Sequence, residues 1–193
     1  MSIDETKRQI ITTASQLFAK YGYYKTSIDN VAKMSRRAKG SIYYHFNTKE
    51  ELFTAVVSSE IEVVREKLAA NVMNQDMPAD EKLKQFLIQR MSLLHNAKNY
   101  HETLQADFYS EFVFLQNLRK EWEEWVKLQI RVIIEQGISE GLFEEIPQLD
   151  VMLDILSMVS HGLEIQFFLQ NKYEELNPYF DGMLKMLIKG LKK

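Results

Sequence analysis

Apolar residues near the start of the chain recur every three or four positions. Ile10, Ala14 and Leu17 follow this spacing, which places their side chains on one face of a helix. Gly22 comes one turn later, and glycine commonly follows the last residue of a helix. The pattern therefore predicts a first amphipathic helix that ends near Tyr21.

Helical periodicity continues to the end of the chain. No stretch alternates as a strand does, and only 7 Gly and 3 Pro interrupt the pattern. The predicted fold class is all-α, with three helices in an N-terminal head and a helical body, about nine helices in total. The fourth is a long helix, capped by Asn47 or Thr48, whose apolar face extends to Leu68. The other approximate ranges are 10–21, 28–34, 39–46, 79–97, 101–109, 111–137, 149–171 and 177–191.

The composition limits the classes of protein that need to be considered. With 193 residues, of which 46% are hydrophobic and 26% charged, the chain can bury a substantial core. It has no cysteine, which excludes disulfides, thiolate metal sites and a cysteine nucleophile. The polar N-terminus does not resemble a signal peptide, and no apolar run approaches the roughly 20 residues that span a bilayer. We expect a soluble, cytoplasmic protein without a membrane partner.

The charge is distributed unevenly. Residues 1–50 contain nine basic and four acidic side chains, whereas residues 51–193 contain 15 basic and 23 acidic ones. A basic head on an acidic body is typical of a protein whose head meets a polyanion. Charge runs are also common on simple solvated surfaces, so this asymmetry alone leaves both interpretations open.

Two short predicted helices joined by a tight polar turn have the layout of a helix-turn-helix. The second begins with Lys39-Gly40-Ser41. In such a motif the first helix braces against the DNA backbone, and the second enters the major groove. The spacing alone is equally compatible with an unrelated helical hairpin.

The residues themselves resemble the DNA-binding domain of the tetracycline-repressor (TetR) family. The most specific element is Gly40-Ser41-Ile42-Tyr43-Tyr44-His45-Phe46, followed by Thr48-Lys49-Glu50. The resemblance covers about residues 7–55, in ungapped register. It implies a helix-turn-helix domain over 1–50 and a helical effector-binding and dimerisation domain over 51–193. It further implies a homodimer that reads palindrome-like double-stranded DNA.

The resemblance also implies which side chains contact DNA. Tyr43 and Lys49 match phosphate contacts, and Thr26 matches a contact to the DNA backbone. The positions that face base edges or the adjacent backbone are Lys39, Ser41, Tyr44 and His45.

The turn between the two short helices departs from the family. Relatives commonly have Gly-Val-Ser where this chain has Arg36-Arg37-Ala38. Either the turn follows another path, or the second helix packs differently and the two arginines reach phosphates. We include Arg36 and Arg37 among the expected DNA contacts.

The body carries no chemical motif, so its sites are predicted from patterns only. Aromatic and polar residues on facing helices suggest a ligand pocket for a small-molecule effector, lined by Phe86, Gln105, Phe108, Tyr109, Phe112, Trp122, Trp125, His161 and Phe167. The last two helices are strongly apolar, and small residues would allow a second copy to approach closely. The predicted dimer interface contains Ser157, Ser160, Gly162, Phe180, Met183, Leu184 and Leu187. Ordinary core packing is the alternative for both sets.

These observations predict a DNA-binding transcriptional regulator, a repressor that leaves its operator when a small apolar or amphipathic ligand binds. A dimeric regulator without an effector is the alternative. An enzyme is disfavoured because no Gly-rich phosphate loop or readable catalytic constellation is present. We expect no cofactor and no metal, since His95 and His101 lack ligand partners at suitable spacing.

Overall fold

The structure, a computed structural model, describes residues 3–74, 76–107 and 110–193, which form helices, turns and loops without a strand. This confirms the predicted all-α class. The α-helices are α1 Ile3–Tyr21, α2 Ile28–Ser35, α3 Lys39–His45, α4 Lys49–Val72, α5 Ala79–Asn96, α6 Gln116–Ser139, α7 Leu149–Glu164 and α8 Tyr173–Lys189. Two 3₁₀ segments, Tyr100–Asp107 and Ser110–Leu115, precede α6, and a π-helical turn, Ile165–Leu169, continues α7.

The segment expected as an α-helix over 101–109 is a 3₁₀ helix in its described part. The N–H groups of Tyr100 and Glu102 donate to the carbonyls three residues earlier, those of Ala97 and Asn99. The carboxylate of Glu60 also accepts the Tyr100 N–H, at 2.9 Å. This tertiary bond fixes a tight first turn, which the helical periodicity of the sequence does not reveal.

The chain divides into two compact units, Met1–Glu62 with Ala97–Leu118, and Val63–Asn96 with Arg119–Lys193. Segment 97–118 therefore packs with the N-terminal helices, although it is remote from them in sequence. The predicted functional division at residues 50 and 51 stays a prediction.

The core of the first unit joins the first four helices. Ile10 and Ala14 of α1, Val31 of α2, Ile42 of α3 and Phe53 of α4 are fully buried. These positions lie on the apolar stripes that the sequence predicts. Because each short helix contributes few apolar side chains, the two helices of the turn motif depend on α1 and α4 for their orientation.

In the second unit Gly137 has a packing role that differs from the expected one. The sequence suggests that α6 ends there, but the helix continues to Ser139. A Cβ atom at Gly137 would lie 2.1 Å from the ring of Phe143. The glycine therefore admits this buried ring, and the chain turns at Gly141, whose φ is +73°.

Candidate DNA-binding and ligand sites

Helix α2 has a specific start and a specific end. The Ser27 hydroxyl accepts the Asn30 N–H, and the Asn30 side chain accepts the Ser27 N–H, which forms a capping box. At the other end, the Arg36 N–H donates to the Lys33 carbonyl and the Arg37 N–H to the Ala32 carbonyl. This pair of bonds is a Schellman motif, which terminates the helix and starts the turn.

Arg36 occupies the left-handed position of that motif, with φ 54° and ψ 41°. Glycine suits this conformation, and a residue with a Cβ is disfavoured there by about 1–2 kcal/mol. The turn thus keeps the backbone path expected for the Gly-Val-Ser sequence of relatives, with an arginine in the glycine position. The departure at Arg36 changes the charge of the turn and adds strain.

The other two turn residues take separate roles. Arg37 is half-buried, and its Nη2 donates to Oε1 of Gln9 on α1 at 2.8 Å. Ala38 is the N-cap of α3 and has no side chain that can bond to the first turn. Helix α3 therefore begins without the stabilising cap that a serine supplies.

Helix α3 presents a polar and aromatic face to solvent. Ile42 is fully buried beneath it, whereas Tyr44 is 74% and Tyr43 43% exposed. Ser41 and His45 are half-buried beside them, and the rings of Tyr44 and His45 are 5.1 Å apart. The single buried anchor leaves the expected contact residues of this helix on one accessible surface.

Lys39, the first residue of α3, is paired with α2. Its Nζ lies 2.9 Å from Oδ1 of Asp29. The hydrogen bond and charge of Asp29 raise the pKa of Lys39 above its ordinary value. Asp29 was not among the expected site residues, and only the fold brings it to a lysine ten positions away.

Lys49 is also engaged within the first unit. Its Nζ donates to the carbonyls of Tyr23 and Thr26, at 3.1 and 3.3 Å, and lies 4.1 Å from the centre of the Tyr23 ring. Partial burial lowers the pKa of Lys49 below its ordinary value, although Glu50 opposes the shift. An ammonium has three N–H donors, so one remains for a phosphate oxygen.

Thr26 does not suit the DNA contact expected of it. Its side chain is 2% exposed, and the hydroxyl faces the Gly22 and Leu17 carbonyl oxygens at 2.9 and 3.3 Å. The hydroxyl therefore secures the loop before α2. We correct the expectation for the Thr26 side chain accordingly.

The comparison with known proteins bears directly on this surface. The family described as "Bacterial regulatory proteins, tetR family" matches residues 10–56, which include all of α2 and α3. This N-terminal segment belongs to the TetR family. Relatives of the chain are named as HTH-type transcriptional regulators, and α3 lies in the matched segment at the place of the second helix of a helix-turn-helix.

Relatives extend the likeness over the whole chain. The transcriptional regulator YhgD of Bacillus subtilis is 28% identical over 99% of this chain and 98% of its own length. QacR of Staphylococcus aureus is 43% identical over 28% of this chain and 29% of its own length. The structure of B. subtilis FadR in complex with stearoyl-CoA covers 95% of this chain and 98% of its own, with a TM-score of 0.76 and 20% identity. This last likeness shows the fold alone.

The expected ligand-pocket residues are distributed over the two units of the chain. Phe112 belongs to the first unit, where its ring lies 5.7 Å from that of Tyr23, and Gln105 donates to Glu102 of the same unit. Phe86 and Trp122 are fully buried in the core of the second unit. Phe86, Phe112 and Trp122 are therefore buried within their own units, and the ligand pocket stays a prediction.

The other expected pocket residues fall into two groups. Trp125 stacks on Trp122 at 5.5 Å between ring centres, Phe167 is buried, and His161 lines a small cleft. Phe108 and Tyr109 lie outside the described residues. The cavity of the second unit is lined by other side chains, among them Leu83, Leu156 and Leu163, because apolar periodicity marks core and cavity walls alike.

The expected dimer residues also divide. Phe180 and Leu184 are 5% and 2% exposed, so they pack inside the second unit and cannot form an outer face. Ser157, Ser160, Met183 and Leu187 are half-buried, whereas Gly162 is exposed. The exposed apolar side chains of these helices are Val151, Met152, Ile155, Met158 and Val159 on α7, and Tyr179 and Met186 on α8.

Proposed function

We propose that the protein is a transcriptional repressor that binds palindrome-like double-stranded DNA as a homodimer and is released by a small apolar or amphipathic ligand. The observation that carries the proposal is the exposed face of α3, within the segment that matches the TetR family. A DNA-binding regulator operates in the cytoplasm. Relatives named as regulators and a structural neighbour bound to an acyl-CoA support the ligand-responsive part.

The DNA contacts divide by chemistry. Lys39 and Tyr44 reach base edges, where a lysine pairs with guanine O6 and N7 and a tyrosine packs on a thymine methyl. Ser41 and His45 lie beside them and reach base edges or the adjacent backbone. Tyr43, Arg36 and Lys49 contact phosphates, which position the protein without reading sequence.

Arg37 differs from these residues. Its Nη2 donates to Gln9, so the guanidinium is directed towards α1. We propose that it ties the turn to α1 and contributes mainly to the local positive potential.

A second copy of the chain covers the outer face of α7. Met152, Ile155 and Val159 are exposed there at helical spacing, and Gly162 continues the stripe. A Cβ atom at Gly162 would meet no atom within 4 Å, so packing inside the subunit does not require a glycine. A glycine within a helix costs about 1 kcal/mol relative to alanine, which close approach of a partner helix would explain.

The same stretch has the composition of a membrane segment. Among the described residues, Leu149–Leu169 is long and apolar enough to cross a bilayer, and 22% of its most apolar window is buried. Asp150 and Asp154 lie within it and pair with Arg131 and Lys127 of α6. Because charges on a lipid-facing helix are costly, these pairs favour a protein partner.

Sedimentation equilibrium tests the dimer. Gly162→Leu places a bulky side chain on the proposed contact face, and we expect dimer dissociation to increase at least about tenfold. Ala70→Leu, which enlarges an exposed position of α4, is the matched control. An unchanged dissociation constant in Gly162→Leu would place the interface elsewhere.

The DNA proposal is tested by selection from a random duplex pool. Purified protein is mixed with the pool at moderate salt, and the retained duplexes are sequenced. We expect a two-fold-symmetric site whose halves lie about 34–36 Å apart along the helix axis, as two recognition helices require. Recovery of no preferred sequence would contradict the proposal.

The recovered site then serves as a probe for variants. Tyr44→Ala should weaken binding by about 1–3 kcal/mol and relax the preference at one base step. Leu128→Ala changes an exposed apolar residue of α6 and should leave binding unchanged. If no ligand releases the protein from this site, the regulator without an effector is the better description.

A further inference from the structure

A cavity of about 190 Å³ lies among α5, α6, α7 and α8 of the second unit. It is larger than the engineered 150 Å³ cavity that stays dry and takes up benzene. Among the described residues, Ser160 supplies the polar side chain of an otherwise apolar wall. Representative wall residues are Leu83, Met91, Ile134, Leu156, Phe180 and Leu187.

A small polar cleft adjoins this cavity. Its volume is about 10 Å³, which is close to the smallest cavity that holds one water molecule. Arg90, Glu164 and His161 line the cleft, and Ile130 and Ser160 line both spaces. The cavity and the cleft are therefore neighbours, with the side chains of Ile130 and Ser160 between them.

The charged groups of the cleft are already compensated. Arg90 and Glu164, 4% and 1% exposed, form a buried ion pair. Lys127 pairs with Glu124 and Asp154. A charged ligand would add an uncompensated charge to these buried surroundings, which is unfavourable.

Two further charged or titratable groups complete the lining. Glu123 pairs with Arg119 at 3.1 Å, and His161 lines the cleft beside Glu164. With Glu123 paired, every carboxylate and ammonium that lines the cleft has a partner of opposite charge.

One hydrogen-bond donor of a residue that lines the cleft is not used. Nε of Arg90 is buried and has no acceptor within the part of the chain that the structure describes. A buried N–H without an acceptor is unfavourable, so an oxygen that reaches it gains a hydrogen bond at little cost.

We propose that the cavity and the cleft together form the effector site, and that the effector is an uncharged hydrophobic molecule with an acceptor oxygen, such as an amide or ester carbonyl. The inference rests on the proposed ligand-responsive function. The apolar part fills the cavity, and the carbonyl oxygen accepts a hydrogen bond from Arg90. Met152 and Val159 line the cavity and are also exposed on α7. Occupation of the site therefore changes the face on which we place the second subunit.

Calorimetric titration of the full-length protein tests the ligand class. Octanamide, octanoate and octylammonium share one chain length and differ in head-group charge at neutral pH. We expect octanamide to bind at least about tenfold more tightly than either ion. Equal or tighter binding of an ion, or no binding of any of the three, would overturn the proposal.

Variants locate the site. Leu156→Trp fills the cavity and should abolish octanamide binding, and Leu187→Phe is a second filling variant should the first not fold. Arg90→Lys keeps the charge beside Glu164 but removes Nε, so it should reduce octanamide affinity several-fold. Val132→Trp, at an exposed position of α6, is the control and should bind normally. Normal binding by a folded filling variant would place the site elsewhere.

Operator binding is measured on the same preparations. If the protein binds its selected DNA but not octanamide, only the proposed effector site is contradicted. If the protein binds octanamide but no specific DNA sequence, the proposed function is contradicted.

Discussion

The ammonium of Lys39 lies 2.9 Å from Oδ1 of Asp29, so the first residue of the recognition helix is held by the preceding helix. Both side chains are more than half exposed. The pair therefore contributes little to stability, since exposed ion pairs are weak. Its effect falls on DNA binding, because Asp29 places a negative charge beside a proposed base contact.

Asp29→Asn should release Lys39 and strengthen DNA binding by up to about tenfold, with a salt slope steeper by up to about one unit. Fluorescence anisotropy at several salt concentrations measures both quantities. Asp4→Asn removes the same charge from an exposed position of α1 and serves as the control. Weaker binding by Asp29→Asn would mean that the pair orients Lys39 for contact.

Arg36 combines strained backbone with a positive charge, and substitutions separate the two. Arg36→Gly relieves about 1–2 kcal/mol of left-handed strain but raises the entropic cost of folding by about 0.5–1 kcal/mol, so stability should rise by about 0–1.5 kcal/mol. Arg36→Asn tolerates the conformation, and Arg36→Val should destabilise. Urea unfolding measures this order, and a more stable valine variant would contradict it.

The same variants test the phosphate contact. Gly and Asn both remove the charge, so both should weaken binding uniformly across DNA sequences and lower the salt slope by about 0.9. An unchanged slope would remove Arg36 from the contact set.

The sequence predicts helices well where one apolar face recurs. Ile10, Ala14 and Ile42 lie buried as their spacing indicates, because local periodicity and tertiary packing agree there. Side-chain pairings are different: Lys39 with Asp29 and Arg37 with Gln9 depend on angles between helices that periodicity does not encode.

In the body, periodicity predicts the tertiary contacts even less well. An aromatic residue such as Phe112 is of the type that lines ligand pockets. Its segment, 97–118, nevertheless packs in the first unit. That packing is fixed by polar contacts of Asn99 with Ser15 and Glu60, at 3.1 and 2.7 Å. Long-range polar pairings of this kind carry no sequence period.

Glu60 makes the stability of the first unit depend on pH. Burial raises the pKa of its carboxyl above the ordinary 4.5, although bonds from Asn99 and Tyr100 oppose the shift. A raised folded-state pKa contributes stability below pH 4.5, and this contribution is lost as pH rises through the folded-state value. Glu60→Gln should remove this dependence.

We expect the free energy of unfolding of Glu60→Gln, relative to that of the native chain, to increase from about pH 4.5 towards neutrality. Urea unfolding across this range measures it. Glu66→Gln, exposed on the same helix, should show no such trend. A constant difference for Glu60→Gln would mean that the carboxyl titrates alike in both states.

Ala38→Ser should stabilise the first unit by about 1 kcal/mol, because Ala38 is the N-cap of α3 and offers no acceptor to the first turn. Thermal unfolding measures the change, and Ala70→Ser on the exposed surface of α4 is the control. No gain in stability would indicate that the turn cannot present the hydroxyl to the N–H groups of α3.

The buried pair of Arg90 and Glu164 should show strong non-additivity. Arg90→Met leaves a buried carboxylate without its partner and should cost about 3–5 kcal/mol, as should Glu164→Leu, which leaves a buried guanidinium. The double variant removes both charges and should recover most of the loss, since apolar side chains of similar volume replace such pairs at little cost. Urea unfolding of the four proteins gives the coupling energy. Additive losses would show that the two side chains stabilise the helices independently, and the compensation of charge in the cleft would then lose its support.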